Sequence, residues 1–300
     1  MASNTIESEA MKPARFDYVA PTTLDAAIKA LVAANGEGKV MAGGQSLMPL
    51  LNLRLSRPAL VVDLMKVPGL SFIEDRGKTI AIGALTRHVE LEQSELLARK
   101  LPVMSAAMRY VAHLAIRNRG TIGGSISHAD PAAELPMLAV FHGATIRARG
   151  PNGARAIPAE EFFVAALTTC LEAEEIVYEV EFPVLHSVGW GFEEVSRRFG
   201  DFALACIALS IECREGVIGA ARVGAMGIDD TPRRLRDAEA ALVNTRREAA
   251  ASARFAEAVR NSVSPPSDLH GSSEYRRSLI GALAQRALAT AWARTVGEAT

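Results

Sequence analysis

Two glycine pairs, separated by 80 positions (Gly43 to Gly123), constrain this chain more than any other feature of its sequence. The first lies in VMAGGQSL at 40–47 and the second in GTIGGSIS at 120–127, each after an apolar run and before a serine. Because glycine lacks Cβ and accepts positive φ, a pair of glycines lets neighbouring backbone N–H groups turn toward one anion. The two loops together predict a site that binds one diphosphate from two sides. The alternative for each loop is a tight turn.

Other nucleotide-binding motifs are not supported by the sequence. The chain contains no G-x-x-x-x-G-K-[ST] segment. The segment GWGFEE at 189–194 begins like G-x-G-x-x-G, but Glu194 holds the position of the last glycine. A P-loop or Rossmann site is therefore disfavoured.

The polar residues after the second glycine pair are better explained by a helix start than by a metal site. His128, Asp130 and Glu134 do not have the H-E-x-x-H spacing, and Pro131 interrupts any helix that would align them. We predict that Asp130 is the N-cap of a helix with Pro131 at its first position. Glu134 then lies in the first turn, where it either binds sugar hydroxyls or offsets the helix dipole.

Arg117 and Arg119 lie just before the second glycine pair. Their guanidinium groups can face a bound phosphate or point into solvent, and the sequence leaves both possibilities open.

Composition is that of an ordinary globular protein, with 300 residues, 49% hydrophobic residues and a net charge of −1. A nearly neutral chain is not expected to bind nucleic acid. The polar N-terminus lacks the features of a signal peptide, and no apolar run is long enough to span a membrane, so we expect a cytoplasmic protein. The three cysteines lack C-x-x-C spacing and are too few for an Fe–S cluster.

The order of predicted elements suggests two units divided near residue 185. Mixed helices and strands precede it, with a further subdivision near residue 58. Consecutive antiparallel strands and then Ala-rich helices follow it, and RRLR at 233–236 is expected to open a helix. The expected domains are therefore 1–58, 59–184 and 185–300.

Three segments resemble landmarks of one protein family, the FAD-binding medium subunits of molybdenum hydroxylases, which include carbon monoxide dehydrogenase and xanthine dehydrogenase. The segments are AGGQSLMPLLNLRL at 42–55, IRNRGTIGGSISHADPAAELP at 116–136 and RRFGDFALA at 197–205. Their order and spacing agree with the family, and the resemblance covers roughly residues 12–295.

The resemblance implies an α+β fold. Its FAD-binding domain has two α+β subdomains of the vanillyl-alcohol oxidase type, and its C-terminal domain has a three-stranded antiparallel sheet and a helix bundle. By position, the family's cofactor-binding residues are Val40, Met41, Ala42, Gly43, Gly44, Gln45, Ser46, Leu47, Thr121, Ile122, Gly123, Gly124, Ser125, Glu134 and Leu171. Ser125 stands where family members often have Asn, and its hydroxyl keeps a hydrogen-bond donor there.

The resemblance also implies a role without catalytic side chains or a metal ion in this chain. FAD is expected here, and the partners would be a small subunit with two [2Fe–2S] clusters and a large subunit with the molybdenum cofactor, assembled as a dimer of heterotrimers. Electrons would pass from the clusters through FAD to an external acceptor. The alternatives are a stand-alone FAD-dependent oxidase or dehydrogenase and a scaffold subunit without flavin, against which the retained glycine pairs argue.

Overall fold

The first part of the chain forms a small parallel sheet beside one long helix. The computed structural model describes residues 12–186 and 189–295. Thr23 caps the helix, since its Oγ1 accepts a hydrogen bond from the Ala26 amide at 3.1 Å. The strand order is β1-β3-β2, and β3 belongs to this sheet although it follows residue 58. The elements are β1 (Asp17–Val19), α1 (Leu24–Ala33), β2 (Gly38–Met41), α2 (Leu47–Asn52) and β3 (Leu60–Asp63).

A five-stranded antiparallel sheet with the order β4-β5-β10-β6-β7 forms the second part. Residues 73–83 form a hairpin, and the helix that ends at Lys100 is followed by one that Pro102 opens. The elements are β4 (Ile73–Asp75), β5 (Thr79–Gly83), α3 (His88–Gln93), α4 (Glu95–Lys100), α5 (Pro102–Ala107), α6 (Leu114–Arg117), α7 (Ile122–His128), α8 (Glu134–His142), β6 (Thr145–Gly150), β7 (Gly153–Pro158), α9 (Ala159–Phe162), β8 (Phe163–Ala165), β9 (Thr168–Thr169) and β10 (Ile176–Pro183).

The prediction that Asp130 caps a helix is wrong. Helix α7 ends at His128, Ala129 takes the left-handed conformation with φ 53°, and α8 begins only at Glu134. The Asp130 carboxylate instead accepts a hydrogen bond from the Ala132 amide at 2.9 Å and closes a local turn. Glu134 nevertheless lies in the first turn of α8, as predicted.

The C-terminal sheet has four antiparallel strands rather than the three expected. Its fourth strand, Arg233–Arg234, lies where we expected a helix to open, and the helix begins at Arg236 instead. The Arg234 guanidinium holds this segment extended by binding the Glu239 carboxylate at 2.8 Å. The elements are β11 (Gly189–Ser196), β12 (Ala203–Arg214), β13 (Val217–Met226), β14 (Arg233–Arg234), α10 (Arg236–Leu242), α11 (Ala249–Asn261) and α12 (Ser273–Thr295).

The C-terminal sheet packs directly against α8 and the turn before it. The amide of Gly227, just after β13, donates to the Pro131 carbonyl at 3.0 Å, and the Gly224 backbone lies close to the Phe141 side chain. Buried residues of β12, including Cys206, share one core with α5, α7 and α8. None of the helices in the described ranges is long and apolar enough to cross a membrane.

Candidate functional site

The first glycine loop opens onto a cleft and leaves its amides available. It follows β2, and Gly44 has a φ of +73°, which favours glycine. Among the described residues, the N–H groups of 42–46 donate to no protein acceptor. Met41, Ala42, Gly43, Gly44, Gln45, Met48, Pro49, Asn52, Asp63, Met65 and Arg119 line the cleft, which has a volume of about 450 Å³. Five adjacent free amides at a cleft form a binding surface for an anion.

The two glycine loops touch each other through their backbones. A Cβ on Gly43 would overlap the carbonyl oxygen of Arg119 and lie 3.0 Å from the Cα of Gly120. A Cβ on Gly124 would lie 3.7 Å from the Ala42 side chain. The structure therefore brings the two sequence-predicted segments together in space, and Gly43 is required for the close approach.

The second glycine pair uses its amides inside the protein. The Gly123 amide donates to the Ala84 carbonyl at 2.8 Å, and the Ile122 amide donates to the Thr86 carbonyl at 3.1 Å. The Gly124 amide donates to Thr121 Oγ1 at 3.2 Å, so Thr121 is the N-cap of α7. The expectation of free amides in both loops is thus wrong for the second.

The glycine at 123 is needed for packing rather than for ligand access. A Cβ there would lie 2.8 Å from the Ala84 carbonyl oxygen, which is too close for two non-bonded atoms. Gly123 is itself buried, whereas Gly124 and Ser125 are half-exposed on the opposite side of α7. The side that α7 can offer to a ligand is therefore formed by Gly124, by the Ser125 hydroxyl and, one turn later, by His128.

The two arginines before the second pair have different roles. Arg117 is buried, bonds the Glu92 carboxylate at 2.9 Å and donates to the Ala112 carbonyl at 2.8 Å. It therefore stabilises the loop between α5 and α6 and cannot reach a phosphate. Arg119 is exposed and lines the cleft beside the free amides. Its positive charge suits the anion that those amides predict.

Glu134 and Leu171 lie at the far end of α7 from the glycine pair. The Leu167 amide donates to the carbonyl of Ala129 at 3.0 Å, which fixes the β8–β9 hairpin and the half-buried Leu171 after it near the end of α7. Glu134 is 8% exposed, and burial raises the pKa of its carboxyl to about 7. The negative charge of Asp130 adds to this rise, and the Glu134 amide opposes it.

The predicted site residues thus follow α7 along an extended track. Val40 to Leu47 form the first loop and the strand and helix that flank it, Thr121 to Ser125 begin α7, and Glu134 and Leu171 follow its end. In the part of the chain that the structure describes, no cluster of His, Cys, Asp and Glu is placed to hold a metal ion. An elongated ligand with an anionic centre fits this track.

Several residues at the site were not singled out from the sequence. Asp63 and Met65 line the cleft because β3 pairs with β2 and carries them beside the first loop, and Asn52 lines it from the end of α2. No local motif marks Asp63 or Met65, since only the pairing of β3 with β2 places them beside the first loop.

Comparisons with known proteins cover nearly the whole chain. Residues 14–185 match the family described as "FAD binding domain in molybdopterin dehydrogenase", and residues 190–291 match "CO dehydrogenase flavoprotein C-terminal domain". The chain is 41% identical over 283 residues to the 6-hydroxypseudooxynicotine dehydrogenase complex subunit alpha of Paenarthrobacter nicotinovorans, covering 94% of this chain and 96% of that protein.

Two solved structures share the fold at the level of the whole chain. A chain of the carbon monoxide dehydrogenase of Hydrogenophaga pseudoflava superposes with a TM-score of 0.91 at 35% identity, covering 94% of this chain and 99% of that one. A chain of quinoline 2-oxidoreductase from Pseudomonas putida 86 gives the same TM-score and identity, with 95% and 99% coverage.

Proposed function

The chain belongs to the FAD-binding medium subunits of the molybdenum hydroxylases, and we propose that it is the electron-transfer subunit of such an oxidoreductase. It would receive electrons from [2Fe–2S] clusters of a small partner subunit and pass them through FAD to an external acceptor. The observation that carries the proposal is the set of amides at 42–46 that donate to no protein acceptor among the described residues, in a loop that lines the cleft beside Arg119.

The residues present fit FAD along its length. The diphosphate would bind the amides of the first loop, the Ser125 hydroxyl and Arg119, because charge-assisted hydrogen bonds to an anion are strong. Glu134 would accept hydrogen bonds from ribose or ribityl hydroxyls, and Leu171 would contact the flavin ring. The proposed ligands are the residues implied by the family resemblance, namely 40–47, 121–125, Glu134 and Leu171, joined by Arg119.

The protein's own contribution is binding and orientation. FAD would supply the redox chemistry, while the glycine loops would hold the diphosphate and Glu134 would fix the sugar chain. In the second loop, the internal hydrogen bonds of Ile122 and Gly123 keep α7 fixed against β5. A rigid α7 sets the distance between the diphosphate end and the flavin end of the site.

Partner subunits are part of the proposal. We expect a small [2Fe–2S] subunit and a large molybdenum-cofactor subunit in a cytoplasmic dimer of heterotrimers. The relatives act, by their names, on molecules as different as carbon monoxide and quinoline, yet each superposes equally well on this chain. The large subunit would therefore select the substrate, and the fold of this chain would be indifferent to it.

The experiment is to purify the chain alone, record its absorbance near 450 nm and titrate it with FAD. It is then co-expressed with candidate iron–sulfur and molybdenum subunits, and reduction of its flavin by substrate is followed in the complex and in the isolated chain. We expect a yellow chain that substrate reduces only in the complex. A chain that does not bind FAD would contradict the proposal. A yellow chain that oxidises substrate without the partner subunits would instead support a stand-alone oxidase.

A further inference from the structure

The segment that carries Leu171 is closed by one ion pair. Arg155 of β7 binds the Glu175 carboxylate with two hydrogen bonds, from Nε to Oε1 at 2.6 Å and from Nη2 to Oε2 at 2.7 Å. The same Nη2 donates to the Cys170 carbonyl at 2.8 Å. Arg155 therefore holds both ends of residues 170–175, and Leu171 lies between those ends.

The Glu175 carboxylate also orders the turn between those ends. Its Oε2 accepts a hydrogen bond from the Glu172 amide at 2.8 Å, and the Glu175 amide donates to the Glu172 carbonyl at 3.1 Å. The Glu175 side chain packs so closely on β6 that a Cβ on Gly150 would lie 2.9 Å from its Cγ. One carboxylate thus fixes the turn and the arginine at the same time.

The backbone just before Leu171 is fixed as well. The Cys170 amide donates to the Phe162 carbonyl at 3.0 Å, and the Leu171 amide donates to Thr169 Oγ1 at 3.3 Å. The Leu171 side chain is half-buried and packs against the large core of the FAD-binding region. Hydrogen bonds therefore hold the backbone on both sides of Leu171, while part of its side chain stays uncovered by the protein.

The contacts of Arg155 order this segment rather than the sheet from which Arg155 projects. Among the described residues, the hydrogen bonds of its side chain all go to 170–175. Its own strand, β7, lies at the edge of the five-stranded sheet and is already held by backbone pairing with β6. Arg155 is exposed, so it contributes little to the buried core. Its main structural effect is therefore on the segment that contains Leu171.

Both members of the pair are charged near neutral pH. The hydrogen bond from Arg155 lowers the pKa of the Glu175 carboxyl, burial opposes this change, and the Glu172 amide lowers the pKa further. Charge-assisted bonds between a planar guanidinium and a carboxylate are directional as well as strong. The pair therefore restricts the segment to one conformation under ordinary conditions.

We propose that Arg155 and Glu175 are positioning residues for the flavin, which hold Leu171 in the conformation that contacts the isoalloxazine ring. This role rests on the proposed function, in which Leu171 meets the flavin, and neither charged side chain needs to touch FAD. A side chain that is ordered in advance loses less conformational freedom when the cofactor binds, so the pair strengthens binding at the flavin end. The diphosphate end, at the first glycine loop, is unaffected.

A double-mutant cycle tests whether Arg155 acts through Leu171. Two quantities are measured on the full chain, the FAD dissociation constant and the quenching of bound-flavin fluorescence by acrylamide, an uncharged quencher. In Arg155→Leu, the loosened segment should weaken FAD binding roughly two- to tenfold and make the flavin more accessible to acrylamide. In the Leu171→Ala background, Arg155→Leu should change neither quantity further, because the side chain that Arg155 positions is already absent.

Two further variants separate positioning from general damage. Glu175→Gln removes the negative charge and should shift both quantities in the same direction as Arg155→Leu, by a smaller factor. Arg233→Leu is the control, since it removes a comparably exposed arginine that binds Asp229 at 3.0 Å in the C-terminal sheet, and it should change neither quantity. Melting temperatures of the FAD-free variants identify any that have not folded. If Arg155→Leu does not fold, the cycle is measured with Glu175→Gln.

The outcomes separate the two proposals. If the wild-type protein binds FAD and Arg155→Leu has the same effect with and without Leu171→Ala, the positioning role is overturned and the proposed function stays intact. An Arg155→Leu variant that folds and matches wild type in both quantities has the same consequence. Wild-type protein that binds no FAD overturns the proposed function and with it the flavin role of the pair.

Discussion

The two glycine pairs lie in similar sequences, but their backbone amides have different hydrogen-bonding roles. In the first loop, which lines a cleft, the amides of 42–46 have no acceptor among the described residues, and Gly44 has a positive φ. In the second, the amides of Ile122 and Gly123 bond carbonyls after β5, and Gly123 is packed against Ala84. The first pair leaves amides available for a ligand, and the second pair holds α7 against the end of β5 through hydrogen bonds.

The difference comes from what lies behind each loop. After β5, the chain offers the carbonyls of Ala84 and Thr86 at the right distance to accept the second loop's amides. Behind the first loop, no acceptor in the described residues is in place. A glycine pair therefore indicates that two backbone segments lie close together. Whether the amides of the pair bind a ligand or stabilise the fold depends on whether neighbouring carbonyls accept their hydrogen bonds.

The largest effect is expected when the contact between the loops is broken. In Gly43→Ala, the new Cβ overlaps the Arg119 carbonyl and forces the loops apart. Such overpacking costs about 2–3 kcal/mol, so FAD should bind roughly 100-fold more weakly, as measured by titration near 450 nm. Gly219→Ala is the control, since Gly219, like Gly43, has no positive φ and its Cβ would meet no atom closer than 3.9 Å. Equal affinity in the two variants would contradict the assigned site.

Hydrogen exchange tests the comparison directly. Without FAD, the amides of 42–46 should exchange quickly, while those of 122–125 should be protected because they already have acceptors. With FAD at 100 times its dissociation constant, the first set should slow by up to about 100-fold, and the second set should change much less. Equal protection of both sets in the FAD-free chain would refute the difference described here.

Gly123→Ala should act on folding rather than mainly on the ligand. Its Cβ would press on the Ala84 backbone inside the protein, so the free energy of unfolding of the FAD-free chain should fall by about 1–3 kcal/mol. Denaturant unfolding measures this change. Gly219→Ala, whose nearest neighbour would be 3.9 Å away, should change stability by less than half as much. An unchanged denaturant midpoint in Gly123→Ala would show that the second glycine pair does not stabilise the position of α7.

Arg119→Gln should have the smallest effect. Arg119 is exposed, so its attraction to a diphosphate is screened, and its loss should cost about 0.5–1 kcal/mol, or roughly threefold in FAD affinity. The difference from wild type should shrink as salt is added. Arg99→Gln, at an exposed arginine paired with Glu95, should leave FAD affinity unchanged. An effect of Arg119→Gln that is independent of salt would argue for a structural role.

Local signals in the sequence predicted much of the fold correctly. Glu134 lies in the first turn of a helix, as predicted, because the signals that start a helix act within a few residues. The family resemblance implied three strands in the C-terminal sheet, and RRLR was expected to open a helix, so the fourth strand at Arg233–Arg234 was missed. Their extended conformation depends on pairing with β13 and on the bond from Arg234 to Glu239.

The sequence by itself determined the family, the two glycine pairs and the position of Glu134 in the first turn of a helix. Tertiary structure alone decided which glycine loop keeps its amides free and which arginine reaches the cleft. The reason is physical. A motif specifies which donors, acceptors and backbone angles a segment offers, but whether those groups face a ligand or a neighbouring strand depends on residues far away in the chain.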